Sequence, residues 1–534
     1  MKLHFYGADR CVTGSCHCLE INGKKILVDC GLQQGRDELD NRYLAFAPGN
    51  IDILLVTHAH IDHTGRIPLL VKNGFHGRIL TTRLTADLMK IMLLDSAHIQ
   101  ESDAEYENRK GERAGREHVD PLYTEQDALD VFKYVTTCEY KEKVDLCEGV
   151  SAVFTDAGHL LGSASITLEL EENGVHKTIV FSGDIGNVDQ PIIRDPQLLK
   201  KADYVVMEST YGDRNHTEVW SYTDELAEII DETLGKGGNV VIPSFAVGRT
   251  QELLYFIREI KDQKLVKSTP NFPVYIDSPL AKAATTVFCG DLHGYLDEQA
   301  LELVKDGTHM FTFPNLNLVE SSEESKMLNM DSTPKVIISA SGMCEAGRIR
   351  HHLKHNLWRT DSTILFVGYQ VPGTLGYSLL NGVKKVKLFG EEIEVRASIV
   401  NLPGISGHAD RDHLTAWIAN FKKPPKKVFI VHGEETTAVE FAEHVKNDVG
   451  FDALAPYSGD AYDLLTGEQI AQGSRQLVEK KTQGVYRAKS GAFDRLMIAG
   501  ERLIAVIKKC QGMANKDLGK FADQINSLCD KWDR

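Results

Sequence analysis

The chain has 534 residues, 42% of them hydrophobic and 25% charged, proportions of a folded globular protein long enough for two or three domains. Its net charge of −16 argues against a general affinity for nucleic acid, so any such partner must be held locally by basic groups, backbone amides and metal ions. No apolar run approaches the ~18 residues of a membrane helix, so no membrane partner is expected.

The first residues, Met1 to Arg10, show no signal-peptide pattern and pass directly into a strand-like alternation. The ten cysteines are scattered, with no CxxC pair, and point to a reducing, cytoplasmic setting. Cys16-His17-Cys18 reads as part of a strand rather than as a metal site. A strand through Lys25-Ile26-Leu27-Val28 ends in Asp29-Cys30-Gly31, and an apolar run from Ile51 to Val56 reads as a buried strand. At the tip of that run stands Thr57-His58-Ala59-His60-Ile61-Asp62-His63. Neutral imidazole and carboxylate are the ligands zinc prefers outside thiolate sites. His58 and His60 can hold one ion from an extended chain, and Asp62 and His63 a second beside it.

Helical spacing follows over 83–104, and the charged stretch 105–118 reads as an exposed loop. Three more apolar strands end in ligand-type residues, namely Asp156-Ala157-Gly158-His159, Gly183-Asp184 and Glu208. From about 213 to 385 strands and helices alternate regularly, the pattern of a parallel sheet with crossover helices inserted into the first domain. Thr223 is the expected cap of its first helix. Within this stretch Arg249 opens a helix after Gly248, and Ser341-Gly342 precedes a helix bearing Arg348 and Arg350. Small-residue turns at helix N-termini favour anions, so these residues are candidates for holding phosphate.

Beyond 385 ligand-type residues return, in Ser406-Gly407-His408-Ala409-Asp410 and at the tip of a strand, His432-Gly433-Glu434. Two helical stripes in the tail, one through Leu503 and Ile507 and one from Leu518 to Trp532, read as an α-hairpin. It either packs on the body or forms a homodimer.

Taken together these motifs resemble the β-CASP nucleases of the metallo-β-lactamase fold. Asp29, the His58-x-His60-x-Asp62-His63 run, His159 and Asp184 match the four motifs of that fold. Glu208, His408 and His432 match the three additional β-CASP motifs. The likeness spans about residues 1–460 and is strongest to prokaryotic relatives of the polyadenylation endonuclease subunit, with RNase J more distant.

The resemblance implies an α/β architecture: an αββα sandwich with a parallel-sheet β-CASP domain inserted as a cap, here followed by the C-terminal α-hairpin. The expected division is 1–212 and 386–470 for the sandwich, 213–385 for the insert and 471–534 for a helical extension. It further implies two zinc ions per chain, one on His58, His60 and His159, the other on Asp62, His63 and His432, with Asp184 bridging. Such a pair activates water and neutralises phosphate charge. Asp29 would orient a ligand, and His408 with Glu208 would protonate the leaving oxygen. The implied substrate is single-stranded RNA, since His432 stands where the DNA-repair branch has valine. Endonuclease and 5′→3′ exonuclease cutting stay open. A thioesterase or lactonase of the same superfamily would share the ligand set but would not call for Glu208, His408 or the insertion. A non-catalytic scaffold would have lost ligands, and none is missing here.

Overall fold

A computed structural model describes residues 1–534 apart from 35–40, 113–114, 217–220, 372, 403–405, 474, 476–499, 501–502, 505, 508–509, 511–514 and 533–534. Its framework is a pair of facing sheets. In the first, β1 (Lys2–Gly7), β2 (Cys16–Ile21), β3 (Lys24–Val28), β4 (Ile53–Leu55), β5 (Arg78–Thr82) and β6 (Val135–Cys138) lie side by side in chain order. In the second, β7 (Lys143–Cys147), β8 (Val150–Asp156), β9 (Ala164–Glu172), β10 (Val175–Phe181) and β11 (Tyr204–Met207) do the same.

The chain then leaves for a third, wholly parallel sheet. It contains β12 (Val240–Pro243), β13 (Val274–Ile276), β14 (Leu316–Leu318), β15 (Val336–Ser339) and β16 (Thr363–Phe366). A small antiparallel hairpin, β17 (Lys385–Leu388) and β18 (Glu391–Glu394), precedes β19 (Ser398–Asn401). β19 pairs in parallel with β16, so the inserted sheet runs past the boundary expected at 385. The chain returns with β20 (Lys427–Ile430) and β21 (Ala453–Leu454), which extend the second sheet beyond β11. It closes with β22 (Ala461–Asp463) and β23 (Gln469–Ala471) beside β1.

Burial explains the layering. Leu3, Phe5, Ile26, Val28, Ile53 and Leu55 from the first sheet meet Phe154, Ile166, Leu168, Phe181, Val206 and Phe429 from the second in one core. The opposite faces are also apolar: Leu54 and Ile79 pack under Leu70, Leu88 and Leu93, while Val205, Met207 and Ile430 pack under Trp417 and Phe441. A strand such as β4 is therefore apolar throughout because helices and sheet cover both its faces. The insert is layered likewise, with Leu226, Leu253 and Ile257 on one face and Leu353, Leu357 and Leu379 on the other.

The insert is fused to the sandwich rather than tethered. Leu160, Ile192 and Ile193 share one continuous core with Val247, Tyr295 and Leu296. Ile193 and Leu296 form a β-bridge across the seam, and Asp297 N donates to Ile192 O at 3.1 Å.

Two local expectations need correction, and a third is only partly covered by the described residues. The helix after β5 runs Arg83–Glu112, not to 104: Ala104 and Gly111 are buried while the charged residues around them face water, Lys110 pairing with Glu107 at 3.8 Å. The cap of helix Tyr222–Gly235 is Ser221, which accepts from Asp224 N, while Thr223 Oγ1 donates to Glu259 at 2.7 Å. In the tail, helix Asn515–Trp532 is present, whereas the other arm of the expected hairpin lies largely outside the described residues.

Candidate metal centre

The ligand loop is clamped before any ligand is considered. Ser15 N donates to Asp62 O at 2.8 Å, Cys30 N to His63 O at 2.8 Å and Leu32 N to Ile61 O at 2.9 Å. Gly31 permits this approach, since a Cβ there would lie 1.5 Å from Asp62 O. The loop ends in the short helix Ile61–Thr64, which carries Asp62 and His63.

Asp29, at the end of β3, organises the imidazoles from behind. Its Oδ1 accepts from Thr57 N at 2.8 Å; its Oδ2 accepts from Thr57 Oγ1 at 2.8 Å and from His63 Nδ1 at 2.7 Å. His63 therefore carries its proton on Nδ1 and turns Nε2 toward Asp184 Oδ1, 3.2 Å away. His159 is oriented in the same manner, its Nδ1 donating to Gly407 O at 2.6 Å. Thr57 went unremarked in the sequence, although its place directly before His58 was the available signal.

The ligand atoms fall into three groups, two holding the histidines of the ligand loop and a third joining Asp184, Glu208 and His408. His58 Nε2 and His159 Nε2 each lie 3.1 Å from His60 Nδ1, and Asp184 Oδ2 stands 3.4 Å from His58 Nε2 and 3.6 Å from His159 Nε2. Ligands about 2.1 Å from one tetrahedral ion are roughly 3.4 Å apart, so this spacing suits a shared cation. In the second group Asp62 Oδ2 is 3.4 Å from His432 Nε2, with His63 beside them. Each group gathers its ligand atoms within 4.8 Å of one another. The buried His63 Nε2, Asp184 Oδ1 and His432 Nε2 lack a hydrogen-bond partner, as expected of atoms built to face an ion.

In the first group the electrostatics suit neutral ligands. Burial drives the basicity of His58 and His159 well below that of free histidine, the neutral form that binds metal. For His63 burial is outweighed by Asp184 and Asp29, which hold it well above the usual value. Burial opposes ionisation of Asp184, yet His432, His63 and His58 hold it well below the carboxylate range.

His408 stands beside this cluster with its ring 4.4 Å from that of His159. Its Nδ1 faces Glu208 Oε1 and Oε2 at 3.2 and 3.3 Å, and lies 3.9 Å from Asp184 Oδ2. Glu208 is itself fixed by Ile185 N at 2.5 Å and Thr210 N at 3.2 Å. Burial disfavours protonated His408, but Glu208 and Asp184 outweigh it and lift its pKa to about 9. The side chain is 22% exposed.

The candidate phosphate contacts are placed differently. Arg249 Nη1 contacts Glu252 Oε2 at 2.5 Å with both side chains 9% exposed. Arg348 donates to Asp277 Oδ1 at 2.6 Å and to Glu320 O at 2.8 Å, and Arg350 to Glu345 O at 3.1 Å. Ser341 Oγ hydrogen-bonds within its own loop to Ala346, while Gly342 O accepts from Gln370 Nε2 at 3.0 Å. Each of these arginines thus has a protein partner within the insert.

The fold and the ligand set are those of a metal-dependent hydrolase. Residues 9–233 match the metallo-beta-lactamase superfamily, 250–379 the Beta-Casp domain, and 392–456 the Zn-dependent metallo-hydrolase RNA specificity domain. The chain is 37% identical over 436 residues to ribonuclease TTHA0252 of Thermus thermophilus, which covers 82% of this chain and 94% of that one. It is 32% identical over 482 residues to transcription termination factor FttA of Pyrococcus abyssi, covering 86% of this chain and 70% of the relative. This chain belongs to the β-CASP family of the metallo-β-lactamase superfamily.

Proposed function

We propose that the chain is a ribonuclease that hydrolyses phosphodiester bonds of single-stranded RNA with two zinc ions per chain. The observation that carries this reading is the His408–Glu208 pair set beside two ligand groups that share the neighbourhood of Asp184. A thioester or lactone hydrolase needs the ligands but neither the acid pair nor a fused cap. The RNA specificity domain matched over 392–456 and the ribonuclease among the relatives support RNA as the substrate.

His58, His60 and His159 would hold one ion, Asp62, His63 and His432 the other, with Asp184 between them. Bound zinc supplies a nucleophilic water at neutral pH and offsets charge building on the phosphate. The chain's own residues do the rest. Asp29 and the Gly407 carbonyl fix the tautomers of His63 and His159, so that ligand nitrogens point inward. Glu208 keeps the proton of His408 Nδ1 in place, and His408 Nε2 gives its proton to the departing 3′ oxygen.

The division of labour follows the chain: sandwich from 1–212 and 402–470, cap from 213–401, and an extension from 471 to 534. That extension would pair two copies into a homodimer. On helix Asn515–Trp532, residues Leu518, Phe521, Ile525, Leu528 and Trp532 recur at alternating three- and four-residue steps, the spacing of a coiled-coil seam. Leu528 and Trp532 are 56% and 74% exposed, so among the described residues this stripe is not fully covered. Among the described residues no helix is long and apolar enough to cross a membrane, and the free cysteines fit a cytoplasmic setting.

The test is to incubate zinc-loaded protein with RNA labelled at the 5′ end and, separately, internally. Cleavage is expected: mononucleotides from the 5′ end would identify an exonuclease, discrete internal fragments an endonuclease. Turnover of thioesters or lactones with no RNA cleavage would overturn the reading.

A further inference from the structure

Beside the acid pair a short aromatic step crosses from the sandwich to the cap. Tyr211, three residues after Glu208, is 9% exposed and stands edge-on to Tyr369 of the cap, with ring centroids 6.0 Å apart at 76°. On its other side the Tyr211 ring lies 6.3 Å from that of His408. The Arg214 guanidinium caps both tyrosines, its carbon 4.9 Å from the Tyr211 centroid and 5.3 Å from the Tyr369 centroid. Tyr369 is 44% exposed and the Arg214 side chain 45%, although both stand within one ring of the buried cluster.

We propose that Tyr369, roofed by Arg214, is a stacking site for one unpaired nucleobase of the RNA next to the bond being cut. This rests on the proposed RNA cleavage and adds how the strand is gripped. A net charge of −16 denies the protein a broad electrostatic hold on RNA, so affinity must come from a few local contacts. Stacking on an aromatic face needs no net charge and tolerates any base, because every base has a π-face. Arg249 and Arg348 are engaged inside the cap, whereas the Arg214 side chain is 45% exposed and pairs with its neighbour Asp213 at 3.0 Å. It can cover one face of a base or meet a flanking phosphate. Tyr211 holds the platform one ring from His408, which would keep the stacked nucleotide in register with the proton donor.

The test couples a protein change to a substrate change. Single-stranded RNA oligonucleotides carrying one abasic nucleotide, moved position by position along the strand, are cleaved by the wild type, Tyr369→Ala and Tyr369→Phe. With the wild type, one position is expected to raise KM about tenfold, the worth of one base stack. Tyr369→Ala should raise KM similarly on intact RNA yet show no further penalty at that position. Tyr369→Phe, which keeps the ring, should restore the penalty. If the penalties of Tyr369→Ala and the abasic nucleotide multiply at every position, or if Tyr369→Ala leaves KM unchanged, the proposal is wrong and Tyr369 only braces the cap. If the wild type cleaves no RNA, the proposed function falls first, and fluorescence anisotropy with the same oligonucleotides and variants decides the stacking by the same criterion.

Discussion

At the scale of single residues, His408 and Glu208 make the sharpest predictions. His408→Ala decides between an acid and a ligand of the Asp184–Glu208–His408 group: as the acid it should leave metal in place, since His408 Nδ1 faces Glu208 and the other two groups keep all their ligands. Its kcat should fall by about 10²–10⁴, the usual worth of a positioned acid. Metal analysis of the purified variant checks this: lost metal would make His408 a ligand. The pH dependence follows from the raised pKa. An acid must be protonated, so its contribution is full below about 9 and fades as pH rises through that value. Glu208→Gln removes the main charge that lifts His408, so the alkaline limb of kcat against pH should move to lower pH. A limb that stays where it was would show that some other group controls it.

At the scale of elements, the ligand-bearing parts are strand tips held by backbone hydrogen bonds, and the tail is different in kind. Helix Asn515–Trp532 presents an apolar stripe whose outer residues are exposed, so the stripe is available to a second copy. Phe521→Asp places a charge in that seam and should convert dimers to monomers, as read by analytical ultracentrifugation, with RNA cleavage per chain retained. Unchanged mass with Phe521→Asp would remove this helix from the interface. The exposed second half of helix Arg83–Glu112 shows why element ends are hard to read: its charged residues look like a loop, yet the backbone stays helical through them with only Ala104 and Gly111 buried.

At the scale of the whole molecule, imidazoles and carboxylates are buried together where three separated parts of the chain meet. Metal that binds only the folded form stabilises it, by about 4 kcal/mol when free metal exceeds its dissociation constant a thousandfold. Chelation should therefore lower the melting temperature of the wild type by several degrees in differential scanning calorimetry. Asp184→Asn, which loses the carboxylate facing both groups, should narrow the gap between metal-loaded and chelated samples. An equal gap in both proteins would mean that Asp184 does not bind metal. The seam through Leu160, Ile193, Val247 and Leu296 joins cap and sandwich in one apolar core beside this centre.

Much of this was open to reading in the sequence because it is written locally. Apolar strands ending in Asp29, His58, His159, Asp184, Glu208 and His432 need only neighbouring residues to be recognised, and the HxHxDH run carries its own chemistry. The same holds for the layered α/β plan, since a strand covered on both faces must be apolar throughout. What the tertiary structure alone decided are pairings between side chains distant in the chain. Arg348 and Arg350 stand beside a small-residue turn, and only the folded cap shows that they meet Asp277, Glu320 and Glu345. Tyr211 and Tyr369 show no periodicity that links them, and only the docking of cap on sandwich brings their rings together. A local pattern records what a segment prefers; which donor meets which acceptor across the cleft depends on how the sheets and helices pack, and no single stretch of the sequence holds that.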